Sequence, residues 1–175
     1  MKKLLQILNI LFFTATIYVN YASSVGLFNN STQAAISGKY QTLFTPASYG
    51  FSIWGIIYLL LLGFVIYQSR SLFVSVSDDR FIEKTGGWFI LSCIANSLWC
   101  YLFVCDYILL STFVIFFILF CLLQIVLRNK IKRYKAPITT IVFLWWPFII
   151  YSGWLTVACI ANVTIYLTKI GWDGW

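Results

Sequence analysis

The chain predicts an all-α integral membrane protein, a bundle of five transmembrane helices with a long loop between the first and second, on three observations. Its 175 residues are 61% hydrophobic and only 10% charged, against about 25% charged in soluble domains. The apolar residues gather into five runs, each near or above the ~20 residues that a helix needs to cross a bilayer. The basic residues fall almost entirely into alternate connections between those runs. A soluble fold has no means of covering so much apolar surface, and at this length the chain forms a single domain, 1–175.

The first helix covers residues 4–20. Met1-Lys2-Lys3 ahead of the apolar stretch from Leu4 to Val19 also has the shape of a signal peptide, with Tyr21-Ala22-Ser23-Ser24 resembling a cleavage site. Against that reading, Asn9, Thr14 and Thr16 dot the core, and the loop charges require an odd helix to balance them, so the segment is read as a membrane span. Residues 21–48 form a polar connection with one charge, Lys39, and with Phe28, Tyr40, Leu43 and Phe44 embedded in it. Loops of this length are usually functional or disordered; the aromatics favour a loop folded back onto the bundle, as a lid would be. Asn29 and Asn30 each begin a formal glycosylation sequon, which carries little weight in a stretch so rich in Asn, Ser and Thr.

The second helix, residues 50–67, is opened by Phe44-Thr45-Pro46-Ala47, because the fixed φ of proline suits a helix start. Trp54 and Tyr58, four apart, share one of its faces. A mixed-charge loop from Arg70 to Lys84, containing Asp78, Asp79, Arg80 and Glu83, leads to the third helix, residues 86–105, where Asn96 and Trp99 are three apart. Asp106 marks a very short turn, so the third and fourth helices form a tight antiparallel hairpin. The fourth, residues 107–127, is rich in Phe and Leu with Gln124 its one strongly polar interior residue, and reads as mainly lipid-facing. A basic loop follows: Arg128, Lys130, Lys132, Arg133 and Lys135. The fifth helix, residues 136–168, is a run of more than thirty residues without a charge, interrupted by Pro147 and Gly153, both tolerated in membrane helices. Its Trp154, Ala158 and Asn162 recur every four residues on one face, offering a ring, a gap and an amide. That face is either one wall of a ligand pocket or a packing face whose amide bonds a neighbouring helix. The tail Gly171-Trp172-Asp173-Gly174-Trp175 suits a water–lipid interface.

The net charge of +7 is a topology signal rather than a nucleic-acid one. Ten of the twelve basic residues lie in segments that share a side with the N-terminus; Lys39 and Lys169 lie on the other. The positive-inside bias therefore places the N-terminus in the cytoplasm and the C-terminus outside, with the long loop and the end of the fifth helix on the outer side together. A start without an Arg/Ser-rich amphipathic leader argues against mitochondrial import, leaving a bacterial-type inner membrane as the expected location. The chain has no histidine, which removes the most frequent metal ligand and proton shuttle. Five dispersed cysteines, Cys93, Cys100, Cys105, Cys121 and Cys159, read as small buried hydrophobes. There is no phosphate-binding glycine loop, no paired intramembrane carboxylates and no nucleophile with a histidine base. No catalytic residue, metal site or required cofactor is expected, and without ionisable residues inside a span a charge-coupled pump is not either.

Three blocks resemble the translocator protein family, the tryptophan-rich sensory proteins (TspO/MBR, peripheral benzodiazepine receptor). Ala95-Asn96-Ser97-Leu98-Trp99 is similar to the family's N-x-x-W segment of the third helix. Trp154 followed eight residues later by Asn162 is similar to its fifth helix, and Phe44-Thr45-Pro46 through Phe51, Trp54 and Tyr58 to its entry to the second. The chain departs from the pattern in having only Pro46 before the second helix, no proline after Trp99, and Pro147 seven rather than about four residues before Trp154, which marks a divergent branch. The resemblance implies a five-helix bundle, often a homodimer, that binds porphyrins and in some cases sterols in a pocket under the first loop. Carried over by position, Asn96, Trp99, Trp154, Ala158 and Asn162 would line that pocket, with Trp54 and Tyr58 from the second helix and Tyr49 or Phe51 beside them. Flat aromatic ligands stack well on indole and phenol rings, and the lack of histidine points to a free porphyrin rather than haem. Rival readings are a small-molecule transporter using the same cavity, a structural membrane subunit without a ligand, and a light-dependent porphyrin-degrading activity. Val163-x-x-Tyr166-x-x-Lys169 satisfies a short cholesterol-contact pattern that arises readily by chance in such a composition, and Trp145-Trp146 read as packing residues.

Overall fold

In a computed structural model, residues 1–42, 44, 45, 47–74, 76, 79–131 and 135–172 are described. Leu43 and Pro46 of the loop, Asp78, Lys132 and Arg133 of the charged connections, and Asp173-Gly174-Trp175 of the tail lie outside the described residues. Five helices are long and apolar enough to span a membrane, and the protein is an integral multi-pass membrane protein.

The spans are α1 (Lys2–Ser24), α3 (Ile53–Ser69), α4 (Phe81–Val104), α5 (Ile108–Arg128) and a fifth, Ile138–Lys169. The expected helices are all present; α1 and α4 run a turn or so further than the apolar runs suggest, and the other three keep nearly the expected length. Thus α1 continues to Ser24, and α4 starts early enough to take in Glu83 and Lys84, which were expected in the preceding loop. Among the described residues of the long loop the backbone forms one short α-helix, α2 (Gln33–Lys39). Its first turn is capped by Thr32, whose Oγ1 accepts from the Ala35 amide at 3.1 Å, a usual role for threonine at a helix start. A 3₁₀ segment, Ser48–Ser52, leads into α3.

The fifth span begins with one turn, α6 (Ile138–Thr140), widens into a π segment over Ile141–Trp145 and continues as α7 (Trp146–Lys169). The widening directly precedes Pro147, which has no N–H to give the Phe143 carbonyl and whose ring would crowd it in a regular helix. Gly153, also expected to interrupt this run, sits inside unbroken α7. It keeps its N–H, and no other element approaches where a side chain would project. Asp106 turns α4 into α5 with a positive φ of 65°, a conformation that Asp tolerates better than most residues.

Two stacked groups of side chains fill the bundle. In the half near the N-terminus, Phe64 of α3, Phe89 of α4 and Phe148 of α7 meet edge to face, with centroids 4.9–6.0 Å apart, and none is exposed. The other half holds tryptophan, tyrosine and amide side chains. α5 is packed more deeply than its composition suggests. Ile115, Ile118, Leu122 and Ile125 are buried against α4 and α7, while Phe113, Phe116 and Phe120 point outward. Gly86 allows α4 to approach α1 closely: a Cβ there would lie 3.2 Å from Leu5, the use of small residues expected between membrane helices.

Near the N-terminus, α1 and α3 are joined by an amide cluster. Gln6 Nε2 donates to the Gln68 carbonyl at 2.6 Å and to Ser71 Oγ at 2.8 Å, and Asn9 Nδ2 donates to Gln68 Oε1 at 2.7 Å. All three amide side chains are buried. Interhelical hydrogen bonds in membranes stabilise by roughly 0.6–2 kcal/mol each. Gln68→Leu, which removes the acceptor of Asn9, is therefore expected to cost about 1–2 kcal/mol, seen as a lower thermal midpoint in detergent. Gln124→Leu is expected to leave that midpoint unchanged.

Candidate functional site

The site lies in the half of the bundle away from the N-terminus and is built on two asparagines. Asn96 of α4 is 1% exposed. Its Nδ2 donates to Tyr151 Oη at 2.8 Å, and its Oδ1 accepts from Asn20 Nδ2 at 2.8 Å and Tyr58 Oη at 3.3 Å. One amide thus joins α4 to α1, α3 and α7. Asn162 of α7, also buried, accepts from Trp99 Nε1 at 3.0 Å and donates to Thr112 Oγ1 at 2.7 Å and Ser111 Oγ at 3.1 Å on α5. A buried amide has few bonding sites, and here most are taken by neighbouring helices.

Around these amides the rings form a cluster centred on Trp54. Its indole stacks on Tyr58 at 5.6 Å and 22°, tilts against Trp99 at 5.8 Å, and meets Tyr151 and Trp154 edge on at 5.8 and 6.5 Å. Offset and edge-to-face pairs at such distances are the favourable arrangements of aromatic quadrupoles. On one side of Trp54 is a void of about 30 Å³ lined by Phe51, Trp99, Trp154, Ala158, Asn162 and Ser37 of the loop helix, room for about one water. Trp154 Nε1 is buried and has no acceptor among the described residues. On the other side is a cavity of about 400 Å³ between α1, α2 and α3, lined by Asn20, Tyr21, Gln33, Phe51, Trp54 and Tyr58. That volume is within the usual range of small-molecule sites. Trp54 and Phe51 border both spaces and act as the partition.

Of the residues expected at the site, the structure brings Phe51, Trp54, Trp99, Trp154, Ala158 and Asn162 around the small void, and Phe51, Trp54 and Tyr58 along the larger cavity. Asn96 lies behind Tyr58 and touches neither space. Tyr49 is 81% exposed and lines neither of these two spaces. The sequence reading passed over Tyr151, which lies three residues before Trp154 on the same helical face and was open to the same spacing argument. It also passed over Gln33, whose position depends on how the loop folds back, and Asn20, which lies within α1.

The loop closes over the cluster and is held by Asp106. Its carboxylate is 2.7 Å from Lys39 Nζ and 2.9 Å from Lys169 Nζ, and accepts from Tyr40 Oη at 2.9 and 3.0 Å. Lys169 Nζ also donates to the Asp106 carbonyl. This joins the loop, the α4–α5 turn and the end of α7. Thr42 Oγ1 donates to Thr164 Oγ1 at 3.4 Å, and Phe28 meets Tyr101 edge on at 5.6 Å. Ile36 and Ser37 of α2 are buried beneath the loop. Partial burial pushes the Asp106 carboxyl up, but the hydrogen bonds from Lys39, Lys169 and Tyr40 outweigh it and hold the group below the usual carboxylate value. The hydrogen bond that Lys39 donates to Asp106, followed by that with Tyr40, raises the Lys39 ammonium.

These features define a class: a polytopic helical membrane protein with an aromatic cluster beneath a folded-back loop. The family model described as TSPO-like protein matches residues 6–175, and the chain belongs to that family. Searches of curated proteins and of solved structures gave no match.

The Asp106 latch has a defined pH window. A depressed carboxyl contributes stability above its unfolded pKa of about 4 and loses it as pH falls through the lower folded value; a raised lysine contributes below about 10.4 and loses it only as pH rises past the folded value. Hydrogen exchange of residues 33–42 is therefore expected to be flat from about pH 5 to 9 after correction for intrinsic rates, and to speed up below about pH 4. Asp106→Asn is expected to show the faster exchange already at neutral pH.

Proposed function

We propose that this TSPO-like protein is a membrane-embedded binding protein or sensor for a flat hydrophobic ligand of the porphyrin type. The observation that carries the reading is the cavity of about 400 Å³ walled by the Trp54 indole and Tyr58 ring beneath the folded loop. Stacked rings offer a planar apolar surface, and Asn20 and Gln33 add a few polar groups to orient a ligand. The void beyond Trp54, with the unpartnered Trp154 N–H beside it, gives the partition somewhere to move and a donor for an acceptor on the ligand. Binding without turnover is the proposed activity, and the ligand is recovered unchanged.

The same reading gives the protein a cytoplasmic N-terminus, and the support is the crowding of Lys and Arg at the N-terminal end of the bundle.

Titration of the purified protein with protoporphyrin, followed by tryptophan quenching, tests the proposal. Saturable quenching is expected, weakened about tenfold by Trp54→Ala and by Tyr58→Ala, since stacked rings contribute ~1 kcal/mol or more beyond their area. Tyr58→Phe, which keeps the ring, and Trp88→Phe, in the other half of the bundle, are expected to bind as the wild type does. Unsaturable quenching that is equal in all variants would mean that the porphyrin only partitions into detergent, and would overturn the reading.

A further inference from the structure

At the opposite end of the bundle from Trp54, a second cavity of about 480 Å³ lies between the ends of α3, α4, α5 and the fifth span. Arg70, Arg80, Lys84 and Lys130 line it, together with the hydroxyl-bearing Thr139 and Thr140. No carboxylate is among its described lining residues. The nearby Asp79 is engaged by Lys2 at 2.7 Å. Arg70 lies over the Tyr67 ring at 3.8 Å, and among the described residues Arg70, Lys84 and Lys130 make no ion pair.

Two of these cations have an ordinary structural role. Arg70 follows the last turn of α3 and Lys130 that of α5, where positive charge complements the helix dipole. The other two sit at the opposite kind of helix end. Arg80 caps the N-terminus of α4 and Lys84 lies in its first turn, where the dipole favours anions and opposes cations. Arg70, Lys84 and Lys130, which make no ion pair among the described residues, repel each other across one cavity, and an anion within it would relieve both costs. The cavity also shares one lining residue with an apolar groove. Arg70 borders a groove of about 860 Å³ between α1 and α3, lined by Phe13, Ile17, Leu62 and Ile66 among others, which faces the bilayer.

We propose that the cavity of Arg70, Arg80, Lys84 and Lys130 binds a phosphate group, and that the phosphate is that of an anionic phospholipid whose acyl chain lies in the α1–α3 groove. Basic pockets between helices at a membrane surface have the chemistry for such headgroups. The guanidinium of Arg70 sits at the junction, between headgroup and chain. The soluble alternative with the same chemistry is a free phosphate or pyrophosphate, which would use the cavity and ignore the groove.

The test uses the full-length protein purified in mixed micelles that contain dioleoylphosphatidylglycerol and dioleoylphosphatidylcholine, with retained lipid measured by mass spectrometry. Selective retention of phosphatidylglycerol is expected, reduced about tenfold or more in Arg70→Gln/Lys84→Gln. It is expected to persist in Lys3→Gln/Lys135→Gln, which removes the same charge at the same end of the protein but outside the cavity. Thermal midpoints in pure phosphatidylcholine establish that both double variants are folded. Equal loss in the two pairs would mean a diffuse surface attraction and would overturn the site; so would the absence of any selectivity. A saturable stabilisation by inorganic pyrophosphate without retention of phosphatidylglycerol would support the phosphate site and overturn its assignment to a lipid. If Arg70→Gln/Lys84→Gln proves unfolded, Lys130→Gln alone, with its side chain beyond α5, takes its place and is expected to reduce retention several-fold.

Discussion

A bilayer interior has no water to satisfy a polar group, so an amide placed there must find its partners on other helices. Asn96 and Asn162 do this for the whole bundle. The first ties α4 to α1, α3 and α7; the second ties α7 to α4 and α5. With hydrophobicity unable to distinguish a helix from the lipid around it, these bonds and the close approach at Gly86 decide which faces meet. The aromatic cluster follows from them, because Trp99 and Tyr151 are fixed by the amides and Trp54 packs against both rings.

From that framework comes a division of labour between the two sides of Trp54. The face towards α7 is shut, with space for about one water, and its polar groups are mostly spent on holding helices together. The face towards α1 and the loop borders an open cavity. The loop over it is anchored by charges outside the membrane, through Asp106, while its underside is anchored by burial of Ile36. The loop is thus held by polar contacts in water, and the bundle by polar contacts in lipid. The two can vary independently.

The five spans were legible because each is a long uncharged run, and the hairpin at Asp106 because its turn leaves no room for anything else. The spacing of Trp154, Ala158 and Asn162 correctly put them on one face; periodicity alone left open whether that face was a pocket wall or a packing surface. The structure shows how: Asn162 is bonded to Trp99, Ser111 and Thr112, contacts that depend on the rotation of three helices about their axes. Asp106 was readable as a turn and not as an anchor, since its partners Lys39 and Lys169 are 67 and 63 residues away in sequence. The α2 helix was hidden in the polar stretch of the loop. The π segment could be foreseen as an irregularity at Pro147, but not as a widening rather than a kink. Gly153 misled because glycine weakens a helix without breaking its hydrogen bonds.

The central claim is that the amides hold the bundle while the rings on the α1 side receive the ligand. An experimental structure of the protein with protoporphyrin bound tests this most directly. The account predicts the macrocycle between α1, α2 and α3 against Trp54 and Tyr58, with the Asn96–Tyr151 and Trp99–Asn162 hydrogen bonds intact. A macrocycle seated between α4 and α7, with those bonds broken and both amides turned to the ligand, would contradict it.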